Sequence, residues 1–161
     1  MIFDIFSELQ RPDAREAQDF QAAYAEALDQ ARLADEMGFG CWWAVEHHGT
    51  PQFSLSSVPE MMLLAIAQIT ERIRLGHAAV LAPFNINHPL RVAERAAFLD
   101  VLSGGRLELG LARAGGAEWE TFGVDPDRIP SQMASYVLQQ ALAYPGCLAP
   151  ANSAPVAVDD S

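Results

Sequence analysis

Cys41-Trp42-Trp43-Ala44-Val45-Glu46-His47-His48 runs five mostly apolar residues into a carboxylate and two imidazoles. A short continuous apolar run is how a parallel strand reads when helices bury it. In open α/β sheets and α/β barrels, functional groups gather where strands end and loops begin, at the C-terminal edge. That edge would present Glu46, His47 and His48 together. The rest of the chain reads as scaffolding for this rim, or as more of it.

Upstream, residues 2–6 predict a first short strand, and 7–19, with Pro12, a loop. From Phe20 the period is helical: Phe20, Tyr24, Ala27, Leu28, Ala31 and Ala34 share one stripe. Gly38 is placed to end that helix in a left-handed cap. Downstream, residues 49–57 are rich in Gly, Pro and Ser and form a long rim loop. Pro59 suits a first helical turn, and the all-round hydrophobicity of 61–69 predicts a heavily covered helix. Residues 73–80 read as the third strand, with Gly76 and His77 in its middle, and 81–87 as a loop.

His88-Pro89 opens a third helix with Val92, Ala93, Ala96, Ala97 and Leu99 on its inner face, closed by Ser103-Gly104-Gly105. Residues 107–111 predict a fourth strand, 113–127 a glycine- and acid-bearing loop, and 131–143 a fourth helix. Four alternations of short strand and helix imply parallel pairing with right-handed crossovers. The expected fold class is therefore α/β, as an open sheet or as half of an eight-stranded barrel. One domain is expected over 1–143. Residues 144–161, with three prolines and no period, read as an irregular or disordered tail.

The totals exclude several functions. The 161 residues carry 10 Lys and Arg against 21 Asp and Glu, a net charge of −11. Nucleic-acid binding needs clustered cations to neutralise phosphates, and an anionic membrane surface is disfavoured for the same reason. Cys41 and Cys147 form no CxxC pair, which fits a reduced, cytoplasmic protein. No basic, apolar leader and no membrane span is read at the N-terminus. There is no Walker A pattern, the spacing of Gly110 to Gly116 is not GxGxxG, and no serine sits in a GxSxG elbow. Adjacent residues such as Glu46, His47 and His48 rarely converge on one ion, so no metal is expected.

Several ordered pieces carry a resemblance. They are Gly38-Phe39-Gly40 with Trp43 and Glu46-His47-His48, then Thr70 with Ile73-Arg74-Leu75-Gly76 and Ala78-Ala79-Val80. His88-Pro89, Ala93-Glu94, Leu99-Asp100-Val101-Leu102-Ser103-Gly104-Gly105-Arg106 and Phe122-Gly123 follow. Over roughly residues 1–142 the chain resembles the bacterial luciferase-like family of flavin-dependent monooxygenases. The resemblance implies a (β/α)8 TIM barrel, of which this chain would supply about four N-terminal βα units. The irregular tail is then expected of a truncated, frame-shifted or deliberately cut gene product.

The resemblance also implies chemistry. Such an enzyme holds reduced flavin mononucleotide (FMN) beside O2 in a dry pocket, with a proton-handling group and a small or aliphatic organic substrate nearby. A separate reductase supplies the reduced flavin, and some relatives use a deazaflavin coenzyme instead. His47 matches a rim histidine used in proton handling, for which imidazole is suited; the alternative is a histidine satisfied by a neighbouring carbonyl. Glu46 would orient an imidazole or contact substrate, or form a strand-end ion pair. His48 would line the substrate pocket, and His88 would face the substrate or only cap its helix. Ala78 and Ala79 match a cis peptide beneath the flavin ring, or are simply packed in a strand. Arg113 matches an arginine that meets the flavin phosphate; the alternative is an ion pair with Glu118 or Glu120. A second reading is a non-catalytic half-barrel that self-associates through the exposed edges of strands one and four.

Overall fold

A computed structural model of the chain describes residues 1–135. Strand and helix alternate through β1 (Ile5–Ser7), α1 (Ala17–Met37), β2 (Cys41–Ala44), α2 (Pro59–Ile69), β3 (Arg74–Leu81), α3 (Pro89–Leu102), β4 (Leu107–Ala112) and α4 (Ala117–Phe122). The strands form one parallel sheet in the order β1-β2-β3-β4. Helical residues 129–135 begin the fourth helix expected over 131–143; its remainder and the tail read from 144 lie outside the described residues.

Register explains which face is covered. Ile5, Trp42, Leu75 and Leu107 lie side by side across the four strands. They pack against Ala27, Ala31 and Ala34 of α1, Leu63 and Ile66 of α2, and Ala96 and Leu99 of α3. The three long helices therefore share one face of the sheet. The next row is Phe6, Trp43, Gly76 and Glu108. Phe6 is exposed, and a Cβ on Gly76 would overlap the Trp43 ring. The apolar run of β2 thus reflects a strand with helices on one side and a tryptophan ring lying over Gly76 on the other.

Several boundaries differ from the sequence reading, each for a local reason. β1 starts at Ile5, leaving Ile2 and Phe3 exposed. α1 starts at Ala17, a turn before Phe20, because the Asp19 carboxylate accepts the Arg15 and Glu16 backbone N–H groups at 2.8 and 3.0 Å. Its buried stripe is Ala23, Ala27, Ala31 and Ala34, while Tyr24 is exposed. Alanines let the helix lie close to the sheet, which leaves the larger rings at the margin. Gly38 caps α1 at φ 79°. α2 is not covered all round, since Met61 is 68% exposed. The loop expected over 113–127 contains α4 and a short 3-10 turn, Pro126–Arg128.

The edge opposite the rim is tied by Asp35. Its Oδ1 accepts the backbone N–H groups of Ile73 at 2.6 Å and Arg72 at 2.9 Å, and its Oδ2 that of Glu71 at 3.0 Å. Burial pushes this carboxyl up, but the three N–H donors outweigh it and hold it below its ordinary value. Asp35→Ala orphans those donors and is expected to cost about 2 kcal/mol, read as a lower urea midpoint. An unchanged midpoint would show that water replaces the carboxylate.

Candidate functional site

Parallel strands put all their C-terminal ends on one edge, and the candidate side chains leave from it. β3 is irregular there: His77 pairs with Leu109 and Val80 with Leu111, so β3 spends three residues where β4 spends two. The Ala78–Ala79 peptide lies in that step and is cis. Gly110 stands opposite, where a Cβ would lie 3.4 Å from the His77 carbonyl and 3.5 Å from the Ala79 Cβ. The two strands thus approach closely here, with a Cβ at Gly110 just in contact with β3.

Glu46 is buried at 6% exposure and is the hub of the rim. Its Oε1 accepts His48 Nε2 at 2.9 Å and Asn87 Nδ2 at 2.8 Å, and its Oε2 accepts the Leu81 backbone N–H at 3.0 Å. His77 Nε2 stands 3.4 Å from Oε2, out of line for a hydrogen bond. Burial pushes the carboxyl up, but His48, His77, the Leu81 N–H and Asn87 together outweigh it and hold it at about 2. His48 moves the other way: its bond to Glu46 raises it above the ordinary imidazole value, against partial burial. Its ring meets Phe122 edge-on at 5.2 Å.

His47 has different partners. Nδ1 lies 3.2 Å from Glu118 Oε1, Nε2 lies 3.6 Å from Glu8 Oε2, and the backbone N–H donates to the Ser56 carbonyl at 2.9 Å. Phe53 packs edge-on against the ring at 5.0 Å. Glu118 is itself buried; it accepts the His48 N–H at 3.2 Å and the Gly115 N–H at 3.3 Å. One carboxylate therefore ties the loop after β2 to the loop after β4. Between these loops lies an open cleft of about 420 Å³ lined by His47, Phe53, Leu81, Ala112, Arg113 and Glu118, among others.

Arg113 is exposed, 6.0 Å above the Trp119 ring, and Trp119 Nε1 donates to its carbonyl at 3.0 Å. Among the described residues no carboxylate pairs with it, so neither Glu118 nor Glu120 is its ion-pair partner. The structure brings His47 and Arg113 to one cleft. Glu46 and His48 lie behind it, away from the lining. Ala78 and Ala79 are half-buried in β3. His88 is exposed and caps α3, its Nδ1 accepting the Leu90 N–H at 3.3 Å.

The sequence reading missed Glu118, Asn87, His77 and Glu8 as parts of this network. No group of three or more His, Cys, Asp or Glu side chains among the described residues is placed to hold a metal ion. Among the same residues no helix is long and apolar enough to cross a membrane.

Four βα units whose polar groups gather at the strands' C-terminal ends define part of an α/β-barrel enzyme scaffold. The particular family follows from comparison: the luciferase-like monooxygenase family model matches residues 1–139, and the chain belongs to that family. It is 34% identical over 113 residues to the oxygenase component of a flavin-dependent trigonelline monooxygenase from Acinetobacter baylyi, covering 70% of this chain and 30% of that protein. It is 35% identical over 122 residues to limonene 1,2-monooxygenase from Rhodococcus erythropolis, covering 75% of this chain and 31% of that one. Among solved structures, monooxygenase RslO1 from Streptomyces bottropensis superposes with a TM-score of 0.76 at 33% identity, covering 87% of this chain and 42% of that one. The chain thus spans about a third of the length of the curated relatives it matches.

Proposed function

We propose that this chain contributes the flavin-side wall of a two-component monooxygenase acting on a small or aliphatic organic substrate. The single observation that carries this is the cleft holding a rim imidazole, His47, and a carboxylate-free guanidinium, Arg113, at one mouth. The donor set fits FMN. Arg113 would meet a phosphate through paired charge-assisted hydrogen bonds, as one of only 10 Lys and Arg residues in a chain of net charge −11. Ala78 and Ala79, half-buried in β3, carry side chains of one carbon that would let backbone approach a flat ring system. Bound reduced FMN would supply the electrons with which O2 is activated.

The chain's own residues do the rest. Phe53, packed edge-on against the His47 ring, and Leu81 give the cleft apolar wall beside the imidazole. His47 holds or moves a proton, with Glu118 fixing its Nδ1. Glu46 already accepts three hydrogen bonds, so its part in this reading is to seat His48 at the rim, where His48 would meet a polar group of the substrate. His88 is a helix cap facing solvent at the outer margin. A separate flavin reductase is the expected partner, as the name of the Acinetobacter relative, an oxygenase component, suggests. FMN rather than a deazaflavin is our choice, resting on the flavin-dependent relative. A reduced, cytoplasmic setting is our reading for the buried free thiol of Cys41.

The test is titration with FMN, followed by flavin fluorescence. The chain should quench it saturably, and Arg113→Ala should weaken binding about tenfold, the loss of roughly 1.4 kcal/mol from one charge-assisted contact. Fluorescence that the chain leaves unchanged overturns the reading. A second reading has its own observation: β1 and β4 are edge strands of the described sheet, and unpaired edges invite pairing. A non-catalytic half-barrel would then form homo-oligomers and bind no flavin, which light scattering beside the same titration distinguishes.

A further inference from the structure

We propose that Arg95, on the helical layer behind the cleft, is a positioning residue: it seats the Asn87 amide, the amide seats Glu46, and Glu46 seats the His48 imidazole. The proposal rests on the reading above only in taking the rim as the reaction site. Arg95 Nε lies 3.1 Å from Glu60 Oε1, at the start of α2, and its Nη2 donates to Asn87 Oδ1 at 2.8 Å. A primary amide can sit either way round, but a guanidinium has only donors and so accepts only the amide oxygen as partner. The amide nitrogen is thereby turned inward, where it donates to Glu46 Oε1 at 2.8 Å and to the Leu81 carbonyl at 3.1 Å. The same Oε1 receives His48 Nε2 at 2.9 Å. Arg95→Ala removes the charged donor on the amide oxygen, so the amide shifts more readily and holds Glu46 Oε1 less firmly in its place beside His48.

The file of side chains is continuous from α2 and α3 to the rim, yet Arg95 lines no part of the cleft. The charged and titratable groups around His48 come from several elements. Glu46 and Glu118 contact it directly, Glu60 acts on it from α2, His77 of β3 faces the other Glu46 oxygen, and Arg95 is the cation among them.

The experiment follows the His48 ring by NMR across pH in the full chain, with His48→Gln to assign its signals. Two effects of Arg95→Ala have opposite signs. Losing a nearby cation favours the protonated ring and moves the midpoint up. Losing the seating of Glu46 weakens its bond to His48 and moves the midpoint down. The expected result is a fall of about one pH unit, a tenfold change in the protonation equilibrium. Asn87→Ala should give the same fall, and Arg95→Lys should recover part of it. A midpoint that stays or rises in folded Arg95→Ala overturns the proposal; if that variant does not fold, Asn87→Ala decides on the same criterion. No flavin or substrate is present, so a chain that fails to bind FMN leaves this result standing, and a chain that binds FMN without the shift loses only the positioning role.

Discussion

Glu46→Ala lowers folding stability at neutral pH by about 4 kcal/mol, the cost of taking one partner from a buried ionic cluster. The reason is local. Asn87 Nδ2, the Leu81 N–H and His48 Nε2 all end on this carboxylate, and no other acceptor replaces it for all three. The acid limb carries the sharper signature. The carboxyl sits at about 2 in the folded chain against an ordinary 4.5. A depressed folded value stabilises above the unfolded value and is lost as pH falls through the folded one. The stabilisation is therefore complete above about pH 4.5 and lost toward pH 2, on the order of 3 kcal/mol in total. His48 has the opposite sign: its raised folded value stabilises below its ordinary 6.5, and that part is lost as pH rises through the folded value. Urea unfolding across this range should show a steep acid limb in the parent chain and a flatter one in Glu46→Ala. Parallel limbs would mean that Glu46 titrates alike in the folded and unfolded states.

How much of this was readable beforehand depended on how local the cause was. Pro59 and Pro89 mark helix starts correctly because proline's fixed φ and missing N–H suit that position whatever surrounds it. Gly38 marks a helix end for the matching reason. The apolar runs of β2 and β3 mark strands, and parallel pairing alone then puts His47 and Arg113 on one edge. Tyr24 was misplaced because helical spacing defines a stripe but not which side of it meets the sheet; that depends on how closely the alanines allow α1 to approach.

Glu118 was missed for a different reason. Ala117-Glu118-Trp119-Glu120 reads as a polar loop, and α4 is one and a half turns between glycines, too short for its period to show. Its carboxylate is buried by residues about 70 positions earlier, His47 and His48. Asn87 and Arg95 are of the same kind: each looks like a surface residue until β2, β3 and α3 are assembled.

On the proposed function, His47→Ala should reduce O2-dependent oxidation of a small organic substrate, with reduced FMN supplied by a separate reductase, by at least tenfold in kcat. Positioned proton transfer commonly contributes about 10²–10⁴-fold, and His47 is the imidazole that lines the cleft. Substrate affinity should change less, because the ring is partly taken up by Phe53 and two carboxylates. Glu118→Gln, with its oxygen kept toward His47 Nδ1 and the His48 N–H, removes the charge and puts an amide N–H toward the Gly115 backbone donor. That variant should lose roughly tenfold as well. If Glu118 acts through His47, the two losses overlap, and the double variant is no slower than His47→Ala alone. Losses that multiply would separate the two residues and leave Glu118 as a loop tie between the ends of β2 and β4. Full turnover in His47→Ala would remove the proton-handling role and shift the search to Glu8, whose Oε2 is buried 3.6 Å from the same ring without a hydrogen-bond partner.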